Sequence, residues 1–206
     1  MAITRHVDFW FDFASTYSYL SAMRIDAMAR KYGVLVRWSP FLLGPIFNGQ
    51  GWTTSPFNLY PAKGRYMLRD MGRIAAERGL PFHMPDPFPQ HSLLAARTAL
   101  AITDNTSRAA FAHAVFIAQF ADLADISSRD VIARCLVVAS VATDDVLALA
   151  NSDATKQALR DATATATRIG IFGAPTFVTS DGELYWGDDR LEAALRHAGG
   201  LTADAR

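Results

Sequence analysis

The stretch FDFASTYSYL, Phe11 to Leu20, is the junction that decides the fold. It ends the aromatic segment HVDFWFDF (residues 6–13), which predicts a buried strand despite its two acids. It also begins a helix over Thr16 to Tyr32, where apolar residues recur at steps of three and four and Gly33 follows as a C-cap candidate. A second predicted strand, Val34 to Phe41, completes a βαβ unit.

The middle of the chain combines one long loop with helical segments. The stretch from Phe41 to Gly64, rich in Gly, Pro and aromatic residues, predicts an irregular loop of the kind that contributes to binding sites. Helical patterns follow over residues 63–78 and 92–166. A proline-rich segment separates these two patterns, and further breaks are predicted near Asp104 and Ser127.

Strand patterns return near the C-terminus. PTFVTS (residues 175–180) and ELYWG (residues 183–187) predict two strands, and Asp181-Gly182 between them predicts a two-residue hairpin turn. A final helix is predicted from Asp188 to Ala198, because aspartates in its first turn complement the helix dipole. This order of elements predicts an α/β fold, a thioredoxin-like domain with an inserted all-helical domain.

Composition is that of a compact globular chain with a sizeable core. Of the 206 residues, 50% are hydrophobic and 19% are charged. The predicted boundaries place a discontinuous thioredoxin-like domain over residues 1–62 and 167–206, and the helical domain over residues 63–166.

Charge and hydropathy argue against two classes of partner. Lys and Arg together number 20 and so do Asp and Glu, which gives a formal charge of zero, and no basic run indicates nucleic-acid binding. The first residues lack the apolar run of a signal peptide, and no segment approaches the roughly 20 apolar residues of a membrane span. We therefore expect a cytoplasmic protein with neither a nucleic acid nor a membrane as partner.

Disulfide and metal chemistry are not indicated. Cys135 is the only cysteine, so no intrachain disulfide can form, and its apolar neighbours predict a core residue. The five histidines lack the close ligand spacings of helical or finger-type metal sites. The sequence predicts no metal.

Ser15 lies where a dithiol enzyme of this fold would carry Cys-x-x-Cys. The first strand leads there into a helix N-terminus, whose free N–H groups and dipole stabilise an anion. A serine hydroxyl has no accessible anion, but it can donate a hydrogen bond to the thiolate of a bound cofactor and lower the pKa of that thiol. The alternative is that Ser15 is an ordinary N-cap residue.

The segment GIFGAPTFV (residues 170–178) places a proline directly before a strand. If the Ala174–Pro175 bond is cis, the backbone N–H and C=O of Ala174 form a short edge that can pair with an extended peptide. Proline at this point is the second feature expected of a thioredoxin fold that handles thiols.

Two further segments carry charged candidates. WGDDRL (Trp186 to Leu191) joins a strand to a helix, so its N–H groups can hold a carboxylate and Asp189 can bind an ammonium group. The alternative reading of Asp188 is a helix cap. Lys63 can neutralise a carboxylate or remain a solvated charge at a helix start.

Five ordered segments resemble the 2-hydroxychromene-2-carboxylate isomerases and the related kappa-class glutathione transferases. The segments are FDFASTYSYL, PFLLGPIF, PAKGRYMLRD, FGAPTFV and YWGDDRL, and they span nearly the whole chain. The resemblance implies the DsbA-like branch of the thioredoxin superfamily, bound glutathione, a small aromatic substrate and a homodimer.

The resemblance also implies roles for single residues. Ser15 takes the place of the family's catalytic serine, which hydrogen-bonds the sulfur of glutathione. The other implied contacts with glutathione are its cysteinyl backbone at Ala174 and Pro175, its γ-glutamyl end at Asp188 and Asp189, its glycyl carboxylate at Lys63, and neighbouring positions at Thr54 and Trp186.

The predicted substrate side departs from the family. Asn48 stands where many relatives have a lysine that helps to hold the carboxylate of the aromatic substrate. Asparagine can donate a hydrogen bond but supplies no charge, so a different acidic or neutral aromatic substrate is an alternative. Together with Phe47, Trp52 and Phe57, the loop offers an apolar wall for a flat ligand.

The leading hypothesis is a glutathione-dependent isomerase. In it, the thiolate stabilised by Ser15 adds reversibly to a conjugated aromatic substrate, permits ring opening and bond rotation, and is eliminated unchanged. A kappa-like transferase, whose conjugate leaves as the product, needs the same activated sulfur and is the alternative.

Three other classes fit the sequence less well. A disulfide oxidoreductase is disfavoured by Ser15-x-x-Ser18 and by the single Cys135. A non-catalytic module that binds glutathione or a peptide would use the edge at Pro175 without turnover. A serine hydrolase with His91 as base lacks a Gly-x-Ser-x-Gly elbow around Ser15.

Overall fold

The sheet has four strands. They are β1 His6–Phe11, β2 Leu35–Pro40, β3 Thr176–Thr179 and β4 Leu184–Trp186. Their order in the sheet is β2-β1-β3-β4, where β1 is parallel to β2 and antiparallel to β3, and β3 is antiparallel to β4. The computed structural model describes residues 5–200, so residues 1–4 and 201–206 of the predicted thioredoxin-like domain lie outside the described part.

Helices occupy most of the remaining chain. They are α1 Thr16–Tyr32, α2 Leu43–Gly49, α3 Pro56–Leu59, α4 Pro61–Glu77, α5 Leu93–Ala101, α6 Asn105–Phe120, α7 Arg129–Val138, α8 Thr143–Ala150, α9 Asp153–Arg168 and α10 Leu191–Ala198, with a 3₁₀ turn at Asp188–Arg190 before α10. The predicted α/β fold, a thioredoxin-like domain with a helical insertion, is confirmed.

The central strand β1 is buried on both faces, which explains its aromatic sequence. Phe9 is fully buried, and its ring centroid lies 4.9 Å from that of Trp38 on β2 and 5.5 Å from that of Phe177 on β3. Trp10 belongs to a second, smaller cluster. Each buried aromatic side chain contributes on the order of 1.5–3 kcal/mol.

The sheet and the helical segment share one apolar core. The rings of Phe11 and Phe13 lie 5.8 Å and 5.1 Å from that of Phe116 on α6. Phe13 also contacts Phe111, which is one and a half turns earlier on the same helix. The end of β1 is therefore fixed by packing from the helical segment as well as by the sheet.

Helix α1 has the predicted bounds and caps. Ser15 is its N-cap, with extended backbone angles (φ −90°, ψ 116°). Gly33 ends it with φ 63°, and its N–H donates to the carbonyls of Ala29 and Arg30. A residue with a Cβ would be strained in that left-handed conformation.

The prediction of one irregular loop from Phe41 to Gly64 is wrong in part, because α2, α3 and the start of α4 lie within it. In α2 only Ile46 is buried, against the smaller cluster that contains Trp10, so the sequence carries almost no helical periodicity there. Helix α4 begins at Pro61, a residue that suits the first turn of a helix.

The helical segment breaks at more points than predicted. Asp104 and Ser128 are the N-caps of α6 and α7, in agreement with the breaks predicted near Asp104 and Ser127. Two further breaks separate α7, α8 and α9, at Ser140 with φ 57° and at the N-cap Ser152. Neither break contains Gly or Pro, so the sequence gives little signal of it.

The predicted two-residue hairpin turn has three residues. Thr179 N–H donates to Glu183 C=O and Gly182 N–H donates to Thr179 C=O, which leaves residues 180–182 as the loop. Gly182 has φ 92°, as expected for the left-handed position of a three-residue hairpin.

Two negative findings and one buried thiol bear on function. Among residues 5–200, no helix combines the length and the apolar character needed to cross a membrane. In the same range, no group of three or more His, Cys, Asp or Glu side chains could hold a metal ion. Cys135 lies in the core, as predicted, and burial raises the pKa of its thiol to about 11.

The open edge of β2 is closed by side chains of α6. The Oδ1 of Asn105 accepts from Trp38 N–H at 3.0 Å, and its Nδ2 donates to Val36 C=O at 2.8 Å. Arg108 Nη1 donates to Trp38 C=O at 3.0 Å. Asn105 thus pairs with β2 as a neighbouring strand would, and it blocks edge-to-edge association.

Replacing Asn105 by Ala should lower the free energy of unfolding by about 1–3 kcal/mol, because a backbone N–H and a C=O lose their partners. Urea unfolding measures this. The matched control is Thr106→Ala at the adjacent exposed position, which should change stability by less than about 0.5 kcal/mol. Equal effects of the two substitutions would contradict the edge-closing role.

Candidate active site

Ser15 sits where β1 passes into α1, and its side chain bonds in two directions. Its Oγ accepts from Ser18 N–H at 3.1 Å, which is the N-cap bond, and donates to Ala174 C=O at 3.1 Å. The side chain is buried, with 9% of its surface exposed. The N-cap interpretation of Ser15 is therefore confirmed, and its hydroxyl also contacts the predicted ligand edge, while a hydrogen bond from Ser15 to a cofactor thiolate stays a prediction.

The Ala174–Pro175 peptide bond is cis, and it lies beside Ser15. Gly187 N–H donates to Pro175 C=O at 3.0 Å, which brings the WGDDRL segment to the same edge of the sheet. A Cβ on Gly173 would lie 2.4 Å from the indole Nε1 of Trp186, so only glycine fits against that ring. The structure thus brings together Ser15, Ala174, Pro175 and the segment after β4.

Trp186 is partly exposed at this edge. Its ring centroid lies 4.8 Å from that of Phe172, and the two side chains are 51% and 46% exposed. Their faces are available to a ligand bound along the Ala174 edge.

The two adjacent aspartates have different surroundings. Asp188 is 5% exposed and forms ion pairs with Arg24 at 3.2 Å and with Arg78 at 2.7 Å. Ser21 Oγ also donates to it, at 2.8 Å. The Asp189 side chain is 74% exposed, and its closest cation is Arg190 at 3.5 Å. Of the two carboxylates, that of Asp189 is the one exposed to solvent.

The remaining predicted residues form a group on α2, α3, α4 and the segments between them. The rings of Phe47 and Trp52 are 5.6 Å apart, and Trp52 N–H donates to Phe47 C=O at 2.9 Å. Asn48 is exposed beside them. Thr54 Oγ1 accepts from Asn58 Nδ2 at 3.2 Å.

Lys63 stands apart from any carboxylate partner in the described range. It is exposed near the start of α4, with its Nζ 4.7 Å from the ring centroid of Tyr60. Phe57, in α3, links this part of the chain to α1 through a ring contact of 6.4 Å with Tyr17. The structure therefore brings Phe57 against the first turn of α1, which follows Ser15.

Sequence reasoning missed Asp12, three residues before Ser15. Asp12 is 4% exposed, and its carboxylate accepts from Ala14 N–H at 3.0 Å, Leu43 N–H at 2.8 Å and Ser92 Oγ at 2.7 Å. Burial raises its pKa, and the three hydrogen bonds oppose that rise. An acid near the end of the aromatic segment HVDFWFDF was the available signal.

Tyr17 is a second residue that the sequence did not single out. Its hydroxyl donates to Asp70 Oδ2 at 3.0 Å. Burial, followed by this hydrogen bond to a carboxylate, raises the pKa of the phenol well above its ordinary value of 10.0. Tyr17 therefore stays protonated and fixes α4 against the first turn of α1.

Residues 6–198 match the family model of the DSBA-like thioredoxin domain. The chain belongs to this family. Within it, the chain is 27% identical over 191 residues to 2-hydroxychromene-2-carboxylate isomerase of Sphingobium xenophagum, which covers 92% of this chain and 96% of that protein. It is 26% identical over 203 residues to glutathione S-transferase kappa 1 of Homo sapiens, covering 92% of this chain and 89% of that protein.

A solved structure of 2-hydroxychromene-2-carboxylate isomerase has the same architecture. It superposes on this chain with a TM-score of 0.84 at 25% identity, covering 96% of this chain and 100% of that one. At the start of α1 this DsbA-like chain differs from a dithiol protein. Ser15 and Ser18 stand at the two positions that are cysteines in a Cys-x-x-Cys motif.

We expect Asp188→Ala to lower the free energy of unfolding by about 2–3 kcal/mol. The loss leaves Arg24 and Arg78 without their anion, and since both are about a quarter exposed, it should be smaller than the ~3–5 kcal/mol of a fully buried pair. The control, Asp189→Ala, should change stability by less than about 0.5 kcal/mol. Denaturant unfolding of both variants decides; equal losses would contradict the assignment.

The raised pKa of Asp12 predicts a pH-dependent stability. Between the ordinary pKa of 3.8 and the raised pKa of the folded state, Asp12 holds a proton in the folded chain and releases it in the unfolded chain. The contribution of Asp12 to the free energy of unfolding therefore falls as pH rises from the first value to the second. The stability of wild type minus that of Asp12→Asn should therefore decrease as pH rises above 3.8. Urea unfolding at a series of pH values measures it.

Asp104 provides a control of opposite sign. Hydrogen bonds from Ser107 lower its pKa, so its stabilising contribution is present above the unfolded value and lost as pH falls. The free energy of unfolding of wild type minus that of Asp104→Asn should therefore increase with pH. A difference for Asp12 that is flat or follows the Asp104 control would refute the raised pKa.

Proposed function

We propose that this protein is a glutathione-dependent isomerase of the 2-hydroxychromene-2-carboxylate isomerase type, acting on a small aromatic substrate. The observation that carries the proposal is the 3.1 Å hydrogen bond from Ser15 Oγ to Ala174 C=O, between a helix N-terminus and the edge of a cis-proline turn. The similarity to an isomerase and to a kappa-class glutathione transferase over about nine tenths of the chain supports it.

The residues at this edge fit a cysteinyl group. Ala174 C=O can accept a hydrogen bond from the backbone N–H of a cysteinyl residue lying along it, and this releases the hydroxyl hydrogen of Ser15. Ser15 continues to accept from Ser18 N–H, so its O–H stays polarised and turns toward a sulfur at the end of α1. The hydrogen bond and the helix dipole then both favour the thiolate.

The polar ends of glutathione find complementary groups on this chain. Asp189 is the exposed carboxylate available to the γ-glutamyl ammonium. The backbone of Gly187 to Asp189 lies beside Pro175 and leads into the 3₁₀ turn, while Asp188 keeps this turn fixed through Arg24 and Arg78. Lys63 supplies the cation for the glycyl carboxylate, with Thr54 and Trp186 as neighbours of the peptide.

The aromatic substrate is assigned to the group on α2 and the segment after it. Phe47 and Trp52 provide an apolar wall, and Asn48 provides an exposed amide. Because Asn48 carries no charge, it selects an oxygen acceptor on the substrate by hydrogen bonding rather than by ion pairing. We therefore assign this chain an aromatic substrate whose binding depends less on a carboxylate group than the binding of hydroxychromene carboxylate does.

Bound glutathione supplies a thiolate that adds reversibly to a conjugated aromatic compound and is released unchanged. The task of the chain is to hold the sulfur beside Ser15, to lower the pKa of the thiol, and to keep the substrate ring against Phe47 and Trp52. Tyr17, held protonated by Asp70, retains its hydrogen and positions α4 rather than serving as a base.

A kappa-like glutathione transferase is the second candidate, favoured by the 25–26% identity to kappa-class transferases of Rattus norvegicus and Homo sapiens. The other classes fit the structure less well. Cys135 is buried and the pKa of its thiol is raised, whereas thiol exchange needs an accessible thiol with a lowered pKa. The Ser15 hydroxyl donates to a backbone carbonyl, whereas a hydrolase serine donates to an imidazole.

The first experiment compares wild type with Ser15→Ala. Calorimetry measures glutathione binding, and thiolate absorbance in the ultraviolet across a pH series gives the pKa of the bound thiol. Loss of a hydrogen bond to a charged sulfur should raise that pKa by about 1–2 units. Turnover of a hydroxychromene carboxylate or a related aromatic compound should fall about 10²-fold.

Ser18→Ala is the matched control. Ser18 is fully buried one turn further along α1, its hydroxyl has no partner among residues 5–200, and its backbone N–H stays available to Ser15. This variant should leave the thiol pKa unchanged. Absence of glutathione binding by wild type, or equal pKa shifts in the two variants, would refute the proposal, and a stable conjugate as product would replace isomerisation by transfer.

A further inference from the structure

A cavity between α2, α5 and α9 lies outside the site described above. Its volume is about 270 Å³, and none of its lining residues belongs to the groups assigned to glutathione or to the substrate. On α9 the lining residues recur at steps of three and four, so they share one face of the helix. They are Lys156, Leu159, Arg160, Thr163, Ala164 and Thr167.

The opposite wall comes from α5 and from the segment around the start of α2. Leu93 and Arg97 stand four residues apart on α5, and Leu42 and Pro45 complete the lining. Leu93 begins α5, and Ser92 before it makes no side-chain capping bond to the helix. The Ser92 hydroxyl instead donates to Asp12 Oδ1 at 2.7 Å.

The cavity carries three cations and no lining carboxylate. Lys156 pairs only with Asp153, whose side chain is fully exposed outside the lining, at 3.1 Å. Arg160 donates to the neutral amide of Gln157. Arg97 has a buried Nε that makes no hydrogen bond within residues 5–200. Within residues 5–200, Arg97 and Arg160 have no acidic partner, so an anion between them reduces the repulsion among the three cations.

Apart from the three cations, the lining is made mainly of hydrocarbon side chains and two threonines. Leu42, Leu93, Leu159 and Pro45 present hydrocarbon. Of the two threonine hydroxyls, Thr163 accepts from Leu42 N–H at 3.2 Å and Thr167 donates to Thr163 C=O at 3.1 Å. Each hydroxyl thus makes a hydrogen bond within the chain, Thr163 as acceptor and Thr167 as donor, and the cations are the charged groups that can select a ligand.

We propose that this cavity binds a small organic anion, a carboxylate carried on an apolar body. The carboxylate lies against the guanidinium of Arg97 with Lys156 and Arg160 beside it, and the apolar body lies on the leucine side chains. A volume of about 270 Å³ is just below the ~300–1,000 Å³ of sites for drug-sized ligands, which suits a single aromatic ring with a short acid side chain.

The test uses cinnamate as the probe and cinnamyl alcohol as its neutral counterpart, both titrated into the full chain by calorimetry. Arg97→Gln should weaken cinnamate binding about 10–100-fold, because a charge-assisted hydrogen bond is lost. Ala164→Phe, at an exposed lining position, keeps every charge but fills the space and should abolish binding. The alcohol should bind far more weakly than the acid.

Arg168→Gln is the matched control, since it removes the same charge from an exposed position of α9 outside the lining. It should leave cinnamate binding unchanged. Near-ultraviolet circular dichroism checks that each variant is folded, and if Arg97→Gln is not, Ala164→Phe decides.

Cinnamate binding that survives Ala164→Phe, or that falls equally in Arg97→Gln and Arg168→Gln, overturns the proposal. So does the absence of any binding to wild type. Displacement of cinnamate by glutathione would place the probe at the thiol site and also overturn it, whereas simultaneous binding of both supports a separate site. The result is independent of whether Ser15 activates glutathione.

Discussion

The buried carboxylate of Asp12 holds the site together, because it accepts from its own turn and from two segments that are distant in sequence. Ala14 N–H belongs to the turn before Ser15, Leu43 N–H begins α2, and Ser92 precedes α5. A buried acceptor left without donors is costly, so each of these segments is fixed relative to the end of β1. The position of Ser15 is thereby set by contacts from the sheet, from α2 and from the helical segment at once.

Ser15 lies at a helix N-terminus beside the cis Ala174–Pro175 bond, where a dithiol protein of this fold carries its reactive cysteine. The helix terminus and the backbone edge are the same features that a dithiol protein uses to stabilise a thiolate. In this chain the hydroxyl of Ser15 is bonded to Ala174 C=O. Under the proposed function, a cysteinyl backbone that bonds to the same carbonyl would let the hydroxyl turn to its sulfur, and peptide binding would then be coupled to stabilisation of the thiolate.

The two adjacent aspartates after β4 have different structural roles. Asp188 is turned inward to Arg24 and Arg78 and fixes the turn, and Asp189 is left outward at the edge where a ligand would lie. The cavity between α2, α5 and α9 has the reverse character, because within residues 5–200 its Arg97 and Arg160 have no acidic partner and its Lys156 pairs with the fully exposed Asp153. Leu42 and Leu93, which line that cavity, are the immediate neighbours of two of the donors that hold Asp12.

The sequence by itself determined the elements whose signals are local. Aromatic residues marked β1, periodicity and Gly33 marked α1, and the order of strands and helices gave the thioredoxin-like fold with its helical insertion. The ordered motifs also pointed to Ser15, Ala174 and Pro175, which the structure brings into contact. Short helices such as α2, with Ile46 as its one buried residue, gave no periodic signal and were missed.

Only the tertiary structure decided which acids are free and which are engaged. Asp188 and Asp189 are adjacent residues of the same type. They differ in burial and ion pairing because Asp188 contacts Arg24 and Arg78, which lie more than 100 residues earlier in the chain. Asp12 likewise looked like an acid in a strand until Leu43 and Ser92 were placed beside it. Burial and long-range hydrogen bonds set the charge and role of such groups, and neither is written in the local sequence.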